Sequence, residues 1–336
     1  FIFFYFLSFL SNEKNTKDLI TILIFLVLYY LFLVIFWPYL WSGPFANFIV
    51  AFQFFSDHPL IIKQFFGGEY INANYVPYNF IFTWILISTP ILYTILFIIG
   101  YFKIFKRFFI KFLNIKNNVP YYDLWRGTNE KKDLFMLFSI SSIVLYLIAF
   151  NVLIYTGWRQ IYFINIFLIY IATYAFYQFD ISLKSKLKNY FNFGFIILCL
   201  LFIVYKMVIF HPYQNVYFNE LFKKNVHEKF EIDYWGLSGK KFLKDILLLE
   251  KDKNIIKIAV AGFLPLERSL KLLDKEQRKK IKIIGQDFQN ADYIYANFIS
   301  EVDKNFNDKY QIPINFTKID KFVLNEVLLY EIYRKK

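Results

Sequence analysis

The chain has 336 residues, 57% hydrophobic and 23% aromatic, with a formal charge of +13. Runs of about 20 apolar residues exclude an ordinary soluble domain and point to a multi-span membrane protein. The single cysteine, Cys199, lies in an apolar run, which excludes an intramolecular disulfide and a cysteine metal cluster.

In chain order, residues 1–10 read as the end of a span. The chain opens on Phe1 without the basic start of a signal peptide, so the sequence reads as N-terminally truncated. A polar turn carrying Lys14 and Lys17 leads to a span from Leu19 to Phe36. The stretch from Phe36 to Tyr78 is polar and aromatic, and a loop of that length between spans is usually functional. It reads as a reentrant or interfacial cap, anchored by Trp37 and Trp41, with a helical middle over Phe45 to Phe55. A span from Asn79 to Phe102 comes next, with Pro90 as a kink. KIFKRFFIKFLNIKNN then resembles an interfacial helix lying on anionic lipid. A span from Leu134 to Tyr155 ends at the turn TGWRQ. Spans from Ile161 to Phe179 and from Phe191 to Phe210 complete about six, the first partial.

The charges orient these spans. Residues 211–336 hold 23 of the 39 Lys/Arg and 18 of the 26 Asp/Glu, and most of the remaining basic residues sit in short loops. The Lys14/Lys17 turn, the 103–132 loop and the 180–190 loop with Lys184, Lys186 and Lys188 fall on the cytoplasmic side. The 37–78 loop, the TGWRQ turn and everything after His211 fall outside. Basic membrane loops account for the charge better than a nucleic-acid partner does.

After residue 250 the pattern changes to that of a small α/β unit. IIKIAVAGF, IKIIG and ADYIYANF read as strands, PLERSLKLL as a helix, and the ending as two strands around a turn near Asn325. An amphipathic helix capped by Ser238 precedes them. The predicted fold class is an α-helical multi-span membrane protein with a small extracytoplasmic α/β C-terminal domain. Its parts are a membrane domain (1–210), an interfacial connecting segment (211–250) and the α/β domain (251–336).

Arg159, in the TGWRQ turn, is the sharpest candidate. Two readings stand: an interface anchor beside Trp158, or a planar fork that holds phosphate oxygens. Asp57, Glu69, Glu220, Glu231 and Asp233 are the acids on the same face. Asp233, between aromatics in FEIDYWGLS, reads as an organiser of the packing of this segment on the membrane domain. His58 and His211 each precede a proline, and no histidine pair has metal-ligand spacing. Lys63 and Tyr78 are candidates for binding phosphate or sugar. No phosphate-binding glycine loop and no G-x-S-x-G is present.

Three ordered motifs carry a resemblance. WPYLW-x-x-P-x-x-x-F-x-x-AF-x-x-F-S-x-HP, then F-x-G-x-Y, then VPYNFIFTWILISTP resemble the large extracytoplasmic loop of bacterial GT-C type membrane glycosyltransferases. That family is related to protein O-mannosyltransferases and to the lipid A aminoarabinose transferase. GWRQIYFI is similar to its short Arg-bearing turn, and HPYQNVYFNEL and FEIDYWGLS to the segment after its last core span. The resemblance implies an enzyme of the cytoplasmic membrane. It would pass a sugar from a polyprenyl-phosphate donor to a glycan, lipid or protein acceptor on the outer face. It makes Arg159 the phosphate-side cation, and Asp57, His58, Glu69, Tyr70, Tyr78 and Gln160 candidates for the substrate pocket. It places the catalytic acid upstream of Phe1, so that the fragment alone is expected to be inactive, and leaves a divalent metal ion open. A transporter of a lipid-linked substrate and a non-catalytic scaffold are the alternative readings.

Overall fold

The computed structural model describes residues 16–56, 62–113, 127–182, 186–301 and 308–336. The expected partial span at 1–10, Asp57, His58, Lys184 and positions 114–126 of the basic loop lie outside the described residues.

Helix α1 (Thr16–Phe36) is 21 residues long, about 32 Å at 1.5 Å per residue. It has no charge after Asp18, and Leu23, Val27, Leu31 and Ile35 are exposed. Helix α2 (Pro44–Ser56) is the helical middle of the cap. Phe45 stacks on Tyr30 of α1 with ring centroids 5.2 Å apart. Trp41 Nε1 donates to Val34 O (2.9 Å), which ties the cap to the end of α1.

The rest of the cap is an antiparallel hairpin absent from the sequence-based expectation, β1 (Lys63–Phe66) and β2 (Glu69–Asn72). Its two-residue turn is Gly67–Gly68, with φ of +67° and +95°. Positive φ at both turn positions suits glycine and matches the twist of the flanking strands.

The sequence predicts one kinked span and then a separate interfacial helix. The structure instead breaks the chain at Pro90 and joins the second half of that span to the interfacial helix. Helix α3 (Phe80–Ser88) stops at Thr89, whose backbone is extended, as a residue before proline prefers. Helix α4 (Ile91–Leu113) then runs on through Lys103, Lys106 and Arg107 without interruption. Thr89 N still donates to Ile85 O (3.1 Å), but Pro90 has no N–H and the extended Thr89 turns the chain away, so the carbonyls beyond Ile85 are stranded. Asn219, fully buried, takes them up. Its backbone N–H donates to Ile87 O (2.9 Å), and its Nδ2 donates to Leu86 O and to Thr89 O (3.1 Å).

Helices α5 (Gly127–Ala149), α6 (Asn165–Ser182) and α7 (Lys186–Ile209) come next. Helix α5 ends short of the predicted Tyr155, because residues 151–157 form an irregular turn with Asn151, Thr156 and Gly157 at positive φ. Gly100 lets α4 press directly on the backbone of α6 at Ile171. A polar knot centred on α5 joins α4, α5 and α6. Arg107 donates to Asp133 (3.3 Å), Tyr170 donates to the other Asp133 oxygen (2.9 Å), and Lys111 pairs with Glu130 (2.7 Å). A buried carboxylate so surrounded is stabilised, whereas an unpaired one would be costly.

Two helical stretches, Asn129–Ala149 and Arg159–Phe179, are long and apolar enough to cross a membrane by length and composition. Leu23–Phe36, Pro44–Phe54 and Phe193–Ile209 are shorter apolar helices. The expected set of about six spans therefore does not appear as uninterrupted apolar helices among the described residues. Pro90 splits one of them, and Lys103, Lys106, Arg107 and Lys111 lie within α4.

The C-terminal part is a five-stranded mixed sheet in the order β4-β3-β5-β7-β6. Its strands are β3 (Ile256–Val260), β4 (Ile281–Ile283), β5 (Tyr293–Ala296), β6 (Phe316–Leu324) and β7 (Val327–Lys335). Strand β3 runs parallel to β4 and β5, and β7 is antiparallel to β5 and β6. The β6–β7 turn uses Asn325 and Glu326 at positive φ, as expected near Asn325. Helix α8 (Gly239–Leu249) lays Phe242 against Tyr295 (4.6 Å) and Tyr330 (5.6 Å). The predicted helix over PLERSLKLL shrinks to the single turn α9 (Glu267–Leu270), with a short α10 (Lys275–Lys279) after it. Ser238 does not cap α8 as expected, because its hydroxyl is engaged with Tyr295 OH (3.0 Å).

Candidate functional site

Three segments far apart in the chain meet around Arg159. The first is the turn after α5. Gln64 of β1 is buried and fixes that turn from both sides. Its Nε2 donates to Ile154 O (2.8 Å), and its Oε1 accepts from Thr156 N (3.0 Å). Trp158 is buried and donates from Nε1 to Ser88 Oγ (2.9 Å) at the end of α3. Arg159 therefore starts from a backbone held at Thr156 and Trp158.

The second segment is FEIDYWGLS. Asp233 and Gly236 adopt positive φ and reverse the chain tightly. The buried Asp233 carboxylate accepts from Leu237 N (3.0 Å) and Ser238 N (2.9 Å) at the start of α8. Its partners order the local turn and the start of α8, and not the packing of this segment on the helices of residues 1–210 that the sequence leads one to expect. The reversal presents Tyr234 and Trp235 on one side. Their rings, with that of Tyr155, enclose the Arg159 guanidinium at 4.8, 5.1 and 4.9 Å from its Cζ. Each such contact contributes roughly 0.5–2 kcal/mol, most where water is excluded. These contacts are to ring faces and supply no oxygen or nitrogen acceptor to the guanidinium N–H groups. Among the described residues, no protein acceptor bonds those groups.

The third segment is the hairpin. Phe66 forms an isolated antiparallel bridge with Phe230, and Gly68 N donates to Lys229 O (3.1 Å). This seats Glu231 beside β1, where Phe65 N donates to Glu231 Oε1 (3.3 Å). Burial pushes the Glu231 carboxyl up to about 7, against the opposing pull of the Phe65 N–H and the Arg159 charge. Arg159 acts on Glu231 through its field, but the two do not form an ion pair.

The other candidates lie elsewhere. Glu69 is exposed at the hairpin turn, Tyr70 packs on Phe65 (5.0 Å), and Tyr78 is exposed at the end of the cap. Gln160 is exposed next to Arg159. The structure thus brings Arg159 to Glu231 and three rings rather than to Glu69 or Tyr78. Sequence reading singled out FEIDYWGLS but missed Tyr155, Tyr234, Trp235 and Gln64 as companions of Arg159. The signal for the three rings is a cluster of aromatics in both loops, and Gln64 has none. No three His, Cys, Asp or Glu side chains among the described residues come together as a metal site.

A second polar cluster borders a cavity of about 680 Å³ between α4, α6 and α7. Ile91, Ile95, Ile169, Leu198 and Phe202 make its walls apolar, and Lys206 and Glu220 line it as a pair at 2.8 Å. Lys223 bridges Glu220 (2.8 Å) to Glu326 (2.7 Å), and Lys206 reaches Asn325 (3.3 Å). This chain of contacts ties the β6–β7 turn to the end of α7. Comparison with known proteins finds no matching family model, no matching curated protein and no matching solved structure.

Proposed function

We propose that this chain is an integral membrane glycosyltransferase whose α/β domain lies outside the cytoplasmic membrane. It moves a sugar from a polyprenyl-phosphate donor to a glycan, lipid or protein acceptor. The observation that carries the reading is the Arg159 guanidinium, held by three rings with its N–H edges unspent. It lies between apolar helices and a polar domain. In support, α1 and α7 expose apolar residues along their length, among them Leu23, Val27, Leu31, Leu201, Val204 and Val208. Exposed apolar faces on this scale mark a lipid or partner surface.

In the proposed reaction an acceptor hydroxyl attacks the anomeric carbon and loses its proton to a base. The bond from that carbon to the phosphate oxygen breaks, and the phosphate leaves as an anion. A fixed guanidinium stabilises the charge developing on that leaving group. The test is transfer from a polyprenyl-phosphate sugar by the full-length protein in membranes. Charge-assisted hydrogen bonds contribute about 1.5–3 kcal/mol, so Arg159→Ala lowers turnover about 10- to 100-fold. Arg159→Lys retains the charge but loses the fork, and it recovers only part of that loss. Unchanged turnover in Arg159→Ala removes Arg159 from the mechanism.

One observation favours transport as a second reading. The chain breaks between α3 and α4, and discontinuous helices are a mark of transporters. Against this, the freed carbonyls are capped by Asn219 rather than left open for a passing ion.

A further inference from the structure

The cavity of about 680 Å³ between α4, α6 and α7 plays no part in the proposed chemistry, and it is of the size that holds a ligand. Its α7 wall is a single stripe. Phe195, Leu198, Cys199, Phe202, Ile203 and Lys206 recur at the three- and four-residue spacing that keeps side chains on one helical face. Ile91 and Ile95 of α4 and Ile169 of α6 complete the walls. Phe195, Leu198, Phe202, Ile95 and Ile169 line the cavity and are nevertheless exposed, so it is a cleft open along its side. Helices α4 and α6 close tightly on each other at Gly100, whereas α7 makes no comparable seam with either among the described residues.

The cleft changes character at the depth of one bilayer leaflet. From Phe195 to Lys206 the stripe rises about 16 Å at 1.5 Å per residue. One leaflet contributes about 15 Å of hydrocarbon. Below Lys206 the stripe is apolar, and at and above it the lining turns polar with Lys206, Gln214 and Glu220. Lys206 is buried and pairs with Glu220 at 2.8 Å, and Lys223 and Glu326 extend the pair. The mouth of the cleft therefore carries charges of both signs, two of each.

We propose that this cleft holds one zwitterionic phospholipid of the bilayer, of the phosphatidylethanolamine class. One acyl chain lies along the α7 stripe, and the headgroup sits at Lys206 and Glu220. The inference rests on the reading of this chain as an integral membrane protein and does not depend on its transferase activity. Charge complementarity selects the headgroup. Its phosphate lies beside the Lys206 ammonium, and its own ammonium beside the Glu220 carboxylate. A headgroup that is only anionic gains at Lys206 and loses at Glu220, because both line the same mouth. The same argument sets the polyprenyl-phosphate donor apart, since it is anionic and brings no ammonium.

The test is native mass spectrometry of the 336-residue chain released from detergent micelles doped with dioleoyl phosphatidylethanolamine or dioleoyl phosphatidylglycerol. The two lipids share their chains and differ in headgroup. The quantity read is the Kd of the first lipid bound. In the wild type it is about tenfold lower for the ethanolamine lipid, the effect of one charge-assisted contact. Ile169→Trp fills the cleft from α6 and weakens that lipid about tenfold, as overpacking of an apolar site does. Leu201→Trp, on an exposed part of α7 outside the cleft, leaves it within about twofold. Glu220→Gln removes the carboxylate and brings the two lipids within about twofold of each other. Circular dichroism of each variant establishes that it is folded before its Kd is read.

Equal wild-type affinity for the two lipids overturns the proposal, and so does wild-type binding by Ile169→Trp. Both outcomes leave the membrane reading intact. Tighter first binding of farnesyl phosphate than of the ethanolamine lipid gives the cleft to the donor and overturns the proposal as well. Release of the chain from membranes by alkaline carbonate overturns the membrane reading itself, and the lipid site falls with it.

Discussion

Gly100→Ala sets two effects of opposite sign against each other. Alanine is the better helix former by about 1 kcal/mol, and Gly100 lies in the interior of α4, so propensity alone predicts stabilisation. Packing predicts the reverse. A Cβ on Gly100 would lie 3.0 Å from Ile171 Cγ2 and 3.1 Å from Ile171 C, and closer still to Ile171 O. Ordinary carbon contacts are about 3.5–4.0 Å. The Ile171 side chain can turn away, but the carbonyl belongs to the backbone of α6 and cannot. The two helices must therefore part by on the order of 1 Å along a seam where Ile104, Leu168, Ile171 and Ala175 are fully buried. Overpacking of this kind costs about 1–3 kcal/mol, more where backbone must move. The net expectation is a loss of about 1–2 kcal/mol, a fall in melting temperature of a few degrees for a chain of this size. Gly194→Ala in α7 is the internal control, since a Cβ there meets nothing within 4 Å and only propensity acts. Melting followed by tryptophan fluorescence in detergent reads both variants. If Gly100→Ala melts at or above wild type, α4 and α6 do not meet as described.

Three other perturbations act on the site and its supports. The raised Glu231 carboxyl binds its proton more tightly folded than unfolded. Its contribution is therefore intact below about 4.5 and is lost as pH rises through about 7. At pH 8 the ionised form costs about 3 kcal/mol, so Glu231→Gln gains melting temperature relative to wild type between pH 5 and pH 8. An unchanged difference between those pH values would contradict the burial argument. Asp233→Ala strands the N–H groups of Leu237 and Ser238 and puts alanine at φ +50°, for a loss of about 2–4 kcal/mol. Asp233→Asn keeps an acceptor and loses less, and equal denaturation midpoints for the two would count against the capping role. Lys206→Met leaves Glu220 with Lys223 alone, so limited proteolysis after α7 speeds up. Cleavage at the wild-type rate would show that this ion-pair chain does not hold the β6–β7 turn in place.

Periodicity and composition made the regular elements legible. The apolar runs marked α1, α6 and α7 to within about five residues, α5 begins seven residues before the predicted span and ends six before its end, and the alternation after residue 250 marked five strands. The misses have local causes. Pro90 reads from the sequence as a kink within one span, and the full break is accommodated by Asn219, far along the chain, which takes up the freed carbonyls. The hairpin at 63–72 was hidden because KQFF and EYIN are too short to show alternation, although Gly67–Gly68 is a turn signal. Of the site, Arg159 and Glu231 were named from the sequence as separate residues. That they share a patch was not legible, because Gln64, Asp233 and the Phe66–Phe230 bridge bring them together across long separations.

The same contacts explain why the site belongs to neither part of the chain alone. The turn after α5 supplies Arg159 and Tyr155, the hairpin supplies the Phe65 N–H, and the connecting segment supplies Glu231, Tyr234 and Trp235. The connecting segment is in turn held by Asp233 to the start of α8, and α8 packs on the sheet through Phe242. A shift of the sheet relative to the helices would therefore move two of the three rings and the carboxyl together, while Arg159 stayed with Trp158 and Ser88. The geometry around the guanidinium thus depends on how the α/β domain is docked. The Lys206–Glu220–Lys223–Glu326 chain, though it touches no part of the site, helps to set that docking.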